Sequence, residues 1–355
     1  MTKLLFKPLF AFSLSIFLFT GVASAQELVW DASFRTFFDN REYRSEHEIS
    51  QTLFGARLAP EIGVRWNGNN SLMVGIDLLA NFGAKPFSTG NEPIVYYQYQ
   101  SPKYTAAAGI IPRSKVMGDY SGAFFADSVK YYDPNLSGLL LQYRGRKGYL
   151  EFGADWNSMI TDEKREKFLL FSAGSFNLGP AYLGYHMSMY HHAGTYLEDG
   201  VVDNVLLYPH AGVDLAGITP LDIFSVRVGW LQAFQNDRKY VGEYVKPGGI
   251  QVELNIEKWK FGISNTLYAG QNLMPYWVAP GPDLDYGPGL YWGEAFYRTN
   301  SIYNRLEVYW APVKNDRMNL RVSSIHHYDG SGWSWQQRIH FAVYLGQERI
   351  FRKIY

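Results

Sequence analysis

The sequence predicts an all-β fold: one transmembrane antiparallel β-barrel of about 16 strands, with short turns at one end and long loops at the other. Three observations carry that expectation: unusually long runs of strict alternation, connections that alternate between short and long, and no long apolar helix downstream of the first residues. The clearest run covers residues 52–82. Phe54, Ala56, Leu58, Pro60, Ile62, Val64 and Trp66 share one side, and Gly55, Arg57, Ala59, Glu61, Gly63 and Arg65 the other. After Asn67-Gly68-Asn69-Asn70 the rule resumes, with Leu72, Val74, Ile76, Leu78, Ala80 and Phe82 on one face. Successive side chains of a strand point to opposite faces, and Asn-Gly between two such runs signals a hairpin. Each run exceeds the roughly 10 residues that a tilted strand needs to cross a bilayer. Soluble strands average about 5–6 residues.

Residues 1–25 read as a signal peptide. Lys3 and Lys7 precede an apolar core at 10–22, and Ala23-Ser24-Ala25 is a small-residue cleavage site. The barrel domain then covers 26–355. The chain has no cysteine, which excludes a disulfide framework, a thiolate metal site and a lipoprotein anchor. Past residue 26 no apolar run approaches the roughly 20 residues of a membrane helix, and a closed barrel is the other structure that satisfies its backbone in lipid. Aromatic residues make up 17% of the chain, enough for girdles at both membrane interfaces. Formal net charge is zero, so nothing points to nucleic acid.

The strands follow in order. The first covers 28–38 and is followed by a charged loop at 39–51, and the hairpin just described supplies the second and third. Strands at 94–99 and 104–113 flank a Gln100-Ser101-Pro102-Lys103 turn, and a long loop, 114–135, leads to 138–144. Gly145-Arg146-Lys147-Gly148 turns the chain into 149–157. Strands at 168–176 and 181–191 flank Asn177-Leu178-Gly179-Pro180, and those at 204–215 and 223–232 flank Thr219-Pro220. Strands at 249–256 and 260–268 precede the longest loop, 269–300. The set closes with 301–311, 319–327 and 332–345, followed by a basic segment to residue 355. A soluble sandwich has no reason to sort its loops by parity.

In that layout the chain resembles the porin-like β-barrels of Gram-negative outer membranes. The resemblance is one of pattern over residues 26–355 rather than of a diagnostic motif, and it implies the outer membrane as location. Outer-membrane lipid, lipopolysaccharide and small polar solutes would be the partners, together with further copies of the barrel where it self-associates. Parity turns Glu151, Asp155, Arg227, Glu253, Arg305, Glu307, Arg321 and Arg338 toward the lumen. Unpaired buried charge is prohibitively costly, so such an interior reads as water-filled. Arg35, Arg57, Arg65, Arg305, Arg321 and Arg338 gather on the last three and first two strands, tempered by Asp31, Glu61 and Glu307. General porins fold their third external loop into the barrel with its acids against an arginine wall. The resemblance therefore implies a constriction in which Asp119, Asp127 and Asp133 face these arginines. The alternative is a loop packed on top of the barrel and arginines paired within the wall.

The longest loop holds Tyr276, Trp277, Tyr291 and Trp292, whose faces could stack on sugars; otherwise the rings form the loop's own small core. His186 and Ser188 share one face of a strand, but residues two apart lie about 6–7 Å apart at Cα. No matching acid lies on an adjacent strand to orient the imidazole. His191-His192 and His326-His327 read as solvated histidines at loop edges. The expectation is a channel for passive or weakly selective passage of small hydrophilic solutes, with no enzymatic activity, no cofactor and no metal. The alternatives are a lipid- or lipopolysaccharide-modifying barrel enzyme using His186 and Ser188, and a non-conducting surface-binding or scaffold barrel.

Overall fold

A computed structural model describes residues 26–85, 89–281 and 286–346. The expected signal peptide and the segment beyond 346 lie outside them. Sixteen strands are present: β1 (Glu27–Glu42), β2 (Gln51–Trp66), β3 (Asn70–Asn81), β4 (Gly90–Gln100), β5 (Tyr104–Pro112), β6 (Asn135–Gly145), β7 (Gly148–Ser158) and β8 (Lys167–Leu178) form the first half. The second half is β9 (Ala181–His192), β10 (Val202–Asp214), β11 (Ile223–Asp237), β12 (Gly248–Lys258), β13 (Phe261–Gly270), β14 (Ile302–Lys314), β15 (Met318–Tyr328) and β16 (Trp333–Gly346). Each pairs antiparallel with its neighbours in sequence, and β1 pairs β16 from Asp31↔Gly346 to Glu42↔Trp335, which closes the barrel. Closure removes the free edges that lipid would not tolerate. The β2–β3 hairpin turns through left-handed Asn67 (φ 50°) and Gly68 (φ 70°).

The apolar faces of the strands point outward, and Leu28, Ile62, Val74, Ile250 and Val308 are exposed to the surroundings. Aromatic pairs ring both ends. Tyr104–Tyr143 and Phe261–Trp310 lie at the end with the short turns, and Phe54–Phe82, Trp156–Phe168 and Tyr328–Trp333 at the other. Rings sit there because their apolar bodies and polar edges suit the membrane–water boundary. The protein is therefore an outer-membrane β-barrel of the Gram-negative type.

The parity of the loops breaks twice. Residues 215–222 form an extended turn on the short side, and the last external loop, 329–332, is short. The third external loop (L3, residues 113–134, with helix α1 at Asp127–Tyr132) and the seventh (L7, residues 271–301) carry much of the buried core. Phe124, Leu273 and Leu290 join one apolar cluster with the inward residues Phe171, Leu206, Tyr208 and Leu231 of β8–β11, while Phe296 and Tyr297 pack on Tyr303 of β14, with His327 of β15 and Tyr268 of β13 beside them. This interior is filled with protein over that stretch, where an interior lined by ions predicted water.

Candidate functional site

L3 and L7 are joined to each other before they touch the wall. Ala126 N donates to Trp292 O at 2.7 Å, Glu294 N to Gly122 O at 2.8 Å, and Asp127 N to Glu294 Oε1 at 2.7 Å. A Cβ on Gly293 would lie 2.2 Å from Ala123 O, so this crossing requires glycine. Burial, with Asp127 nearby, pushes the Glu294 carboxyl up to about 7. Burial also acts upward on Asp127, but Arg338, Lys130 and Arg305 outweigh it and hold that carboxyl well below the usual range.

Of the three loop acids expected against the arginine wall, Asp127 alone meets it. Its carboxylate lies 2.6 Å from Arg338 and 3.5 Å from Arg305. Asp119 pairs across the barrel with Arg227 at 3.6 Å, and Asp133 with Arg113 at 3.1 Å at the base of L3. Chain path explains the difference: α1 reaches the wall, whereas Asp119 and Asp133 lie before and after it. Within the wall, Glu307 takes Arg305, Arg321 and Arg338 at 3.0, 2.9 and 3.1 Å. Arg57 and Arg35 share Asp77 at 2.8 and 3.7 Å, and Arg65 pairs with Glu27 near the short-turn end.

The inward acids hold the loop rather than line open water. Glu151 accepts from the amides of Met117 and Gly118 and from Tyr120 and Gln142. Asp155 accepts from Ser137 N and Arg113, both at 2.7 Å, and Glu253 holds Arg227 and Tyr208. In L7, Tyr276 and Tyr291 are buried, Trp277 stacks on Tyr291, and Trp292 packs beside Tyr190. These rings form a core between loop and barrel.

His186, His192 and His327 are not solvated. His186 is buried among Tyr120, Phe124, Tyr208 and His210, and Ser188 lines a cavity of about 30 Å³ with Tyr190, Leu206 and Trp292. His327 is stacked on Phe296, bonds Tyr303 Oη at 2.9 Å and lies 3.2 Å from Gln336 Oε1. His191 stacks on Phe168 on the outer face, and His192 lies against Tyr286. The two loops closing over the barrel bury the inward histidines, a burial that strand parity by itself cannot foresee.

The outer face holds what sequence reading overlooked. On β15 the outward positions run Met318, Leu320, Val322, Ser324, His326, Tyr328, so the lipid-facing stripe turns polar in its extracellular half. Ser324 Oγ and His326 Nε2 are 3.1 Å apart. The register sets Gln337 of β16 opposite Ser324 and Asn40 of β1 opposite Gln337. Asn40 Nδ2 donates to Gln337 Oε1 at 2.8 Å, and Thr52 of β2 donates to Asn40 Oδ1 at 2.7 Å. On the other flank, Asn265 of β13 and Asn304 of β14 bond each other at 3.2 Å. A belt of uncharged polar groups thus crosses neighbouring strands from β13 to β2. A polar group in hydrocarbon costs about 4–8 kcal/mol when unpaired, and such groups within a membrane point to function. The visible signal was an apolar parity broken at Asn40, Thr52, Asn265, Asn304, Ser324, His326 and Gln337. A hydroxyl in contact with an imidazole can supply nucleophile and base, with amide N–H groups nearby to stabilise an oxyanion.

A family model described as lipid A 3'-O-deacylase-type matches residues 21–343. That match overturns the expectation of a barrel without enzymatic activity, since the family takes its name from an enzyme. No curated protein matches the sequence. Among solved structures, the loop L8 deletion mutant of OmpT, an outer membrane protein of Vibrio cholerae, is 11% identical with TM-score 0.53, covering 90% of this chain and 100% of that one. The outer membrane protein opdK of Pseudomonas aeruginosa is 10% identical with TM-score 0.49, covering 90% and 99%. OprD of the same organism is 11% identical with TM-score 0.48, covering 91% and 96%. At 11% identity the likeness to the OmpT mutant shows a shared fold alone.

Proposed function

We propose ester hydrolysis in the outer leaflet for this chain, which belongs to the lipid A 3'-O-deacylase-type family. The substrate is an acyl ester on the sugar of lipopolysaccharide lipid A, and the reaction takes place on the outer wall at Ser324 and His326. The observation that carries this reading is the 3.1 Å Ser324 Oγ–His326 Nε2 contact on the lipid-facing side of β15, where the outward residues Met318, Leu320 and Val322 are apolar. An acyl chain in the leaflet reaches that face without leaving hydrocarbon, whereas His186 and Ser188 lie behind the wall.

Ser324 Oγ attacks the ester carbonyl while His326 Nε2 takes its proton. The tetrahedral oxyanion collapses, the sugar oxygen leaves with the proton from His326, and the acyl group stays on Ser324. Water activated by His326 then releases the fatty acid and restores the serine. Gln337, opposite Ser324 on the neighbouring strand, is the amide that supports the oxyanion.

The test is fatty-acid release from lipopolysaccharide in mixed micelles, read by mass spectrometry of the lipid product. Ser324→Ala and His326→Gln should each lower the rate about 10²- to 10⁴-fold, with the barrel still folded by heat-dependent gel mobility. Full activity in both variants removes the assigned site. No release by the unaltered protein removes the deacylase reading itself.

A second reading, passage of small polar solutes, has the charged inner wall in its favour. Arg57, Arg305, Arg321 and Arg338 would be its basic side, although L3 and L7 both cross the lumen. Single-channel recording in planar bilayers tests it, and silence from folded protein would rule it out.

A further inference from the structure

On the periplasmic side of L3, inside the barrel, lies a cavity of about 50 Å³ walled by Arg35, Arg57, Lys130, Arg321, Arg338 and His340. The stacked rings of Phe37 and Tyr131, 4.3 Å apart, lie along it. One water needs roughly 10–15 Å³ by this kind of measure, so the space fits a small oxyanion with little to spare.

The charges around it do not balance. The carboxylates paired with its cations are Asp77 on Arg35 and Arg57, Asp127 on Lys130 and Arg338, and Glu307 on Arg321 and Arg338. The five lining cations share these three carboxylates with a sixth, Arg305, which also pairs with Asp127 and Glu307, so positive charge is in excess before any contribution from His340. Arg35 is the least satisfied of them. Its nearest acid is Asp77 at 3.7 Å, already held by Arg57 at 2.8 Å, and its buried Nε has no hydrogen-bond partner among the described residues. His340 Nδ1 is likewise buried without a hydrogen-bond partner among them. Buried donors and unbalanced charge are costly when left alone, and guanidinium forks match tetrahedral oxyanions.

We propose that this cavity is a binding site for a doubly charged oxyanion of the phosphate class, taken up from the periplasmic side. It lies behind the wall from the Ser324–His326 face and stands whether or not that face is catalytic. Lipid phosphates cannot enter through the closed strand ladder, so the source is soluble: inorganic phosphate or a small phosphomonoester.

Equilibrium dialysis of the purified full-length barrel in non-ionic detergent, with radiolabelled inorganic phosphate as probe, tests the site. One saturable phosphate per barrel is expected, displaced by glycerol phosphate and unaffected by added phosphatidylglycerol micelles. Arg35→Gln leaves Asp77 paired to Arg57 and should weaken binding at least tenfold, with unchanged heat-dependent gel mobility as the control for folding. Arg144→Gln, in the separate cavity of about 230 Å³ near the short turns, should leave binding as it was. No saturable binding, binding indifferent to Arg35→Gln, displacement by the lipid micelles, or equal loss in Arg144→Gln would each overturn the proposal.

Discussion

Replacing Asp127 by Asn removes one charge from the point where L3 meets the barrel wall and keeps the side-chain volume. Stranding a buried charge costs about 3–5 kcal/mol. Here the loss is smaller, because Arg338 and Arg305 each keep Glu307 at 3.1 and 3.0 Å. What goes is the 2.6 Å contact to Arg338, the 3.5 Å contact to Arg305 and the 2.8 Å pair with Lys130. We expect L3 docking to weaken by about 2–3 kcal/mol, which at 1.4 kcal/mol per decade is roughly a 30- to 150-fold rise in the undocked population. Limited proteolysis within L3, followed over time on folded barrels, reads that population directly. Asp119→Asn is the control, since Asp119 is 72% exposed and its 3.6 Å pair with Arg227 is of the weak surface kind. Equal cleavage rates in Asp127→Asn and the unaltered protein would refute the claim that this ion cluster fastens the loop.

Raising the pH from about 5 to 8 should loosen L7. The folded-state pKa of Glu294, about 7, lies above its ordinary value, so its contribution is fully present below about 4.5 and lost as pH rises through 7. Protease sensitivity of L7 should therefore rise over that range, and Glu294→Gln should flatten the curve. Gly293→Val forces a side chain onto Ala123 O and breaks the crossing of the two loops; with two backbone hydrogen bonds lost, docking should fall by about 1–3 kcal/mol, seen as faster proteolysis of both loops. Gln337→Leu takes the acceptor from Asn40 Nδ2 on the outer face, so unfolding stability should fall by about 1–3 kcal/mol. Lipopolysaccharide deacylation should fall at least tenfold in that variant, and retained activity would exclude Gln337 from the site.

Alternation along single strands was enough to predict the barrel and the position of nearly every strand. Period-two patterning is a local property, readable from 52–82 without any knowledge of partners, because lipid on one side and a polar interior on the other act on each residue independently. The same parity already contained the polar belt: Ser324 and His326 sit where Met318, Leu320 and Val322 set an apolar rule. Asn40 and Gln337, 297 residues apart, meet only because β1 closes on β16, and no local pattern reports which strands will be neighbours across that seam.

By itself, then, the sequence determined the strands, their facing and the membrane they cross. Tertiary structure decided what the interior became. Whether an inward acid such as Glu151 borders water or caps a loop depends on the path of L3, and that path is fixed by contacts such as Asp127–Arg338 between residues 211 positions apart. Side-chain direction follows from the backbone repeat, whereas the filling of a cavity follows from the sum of long-range contacts, and those exist only once the chain has closed.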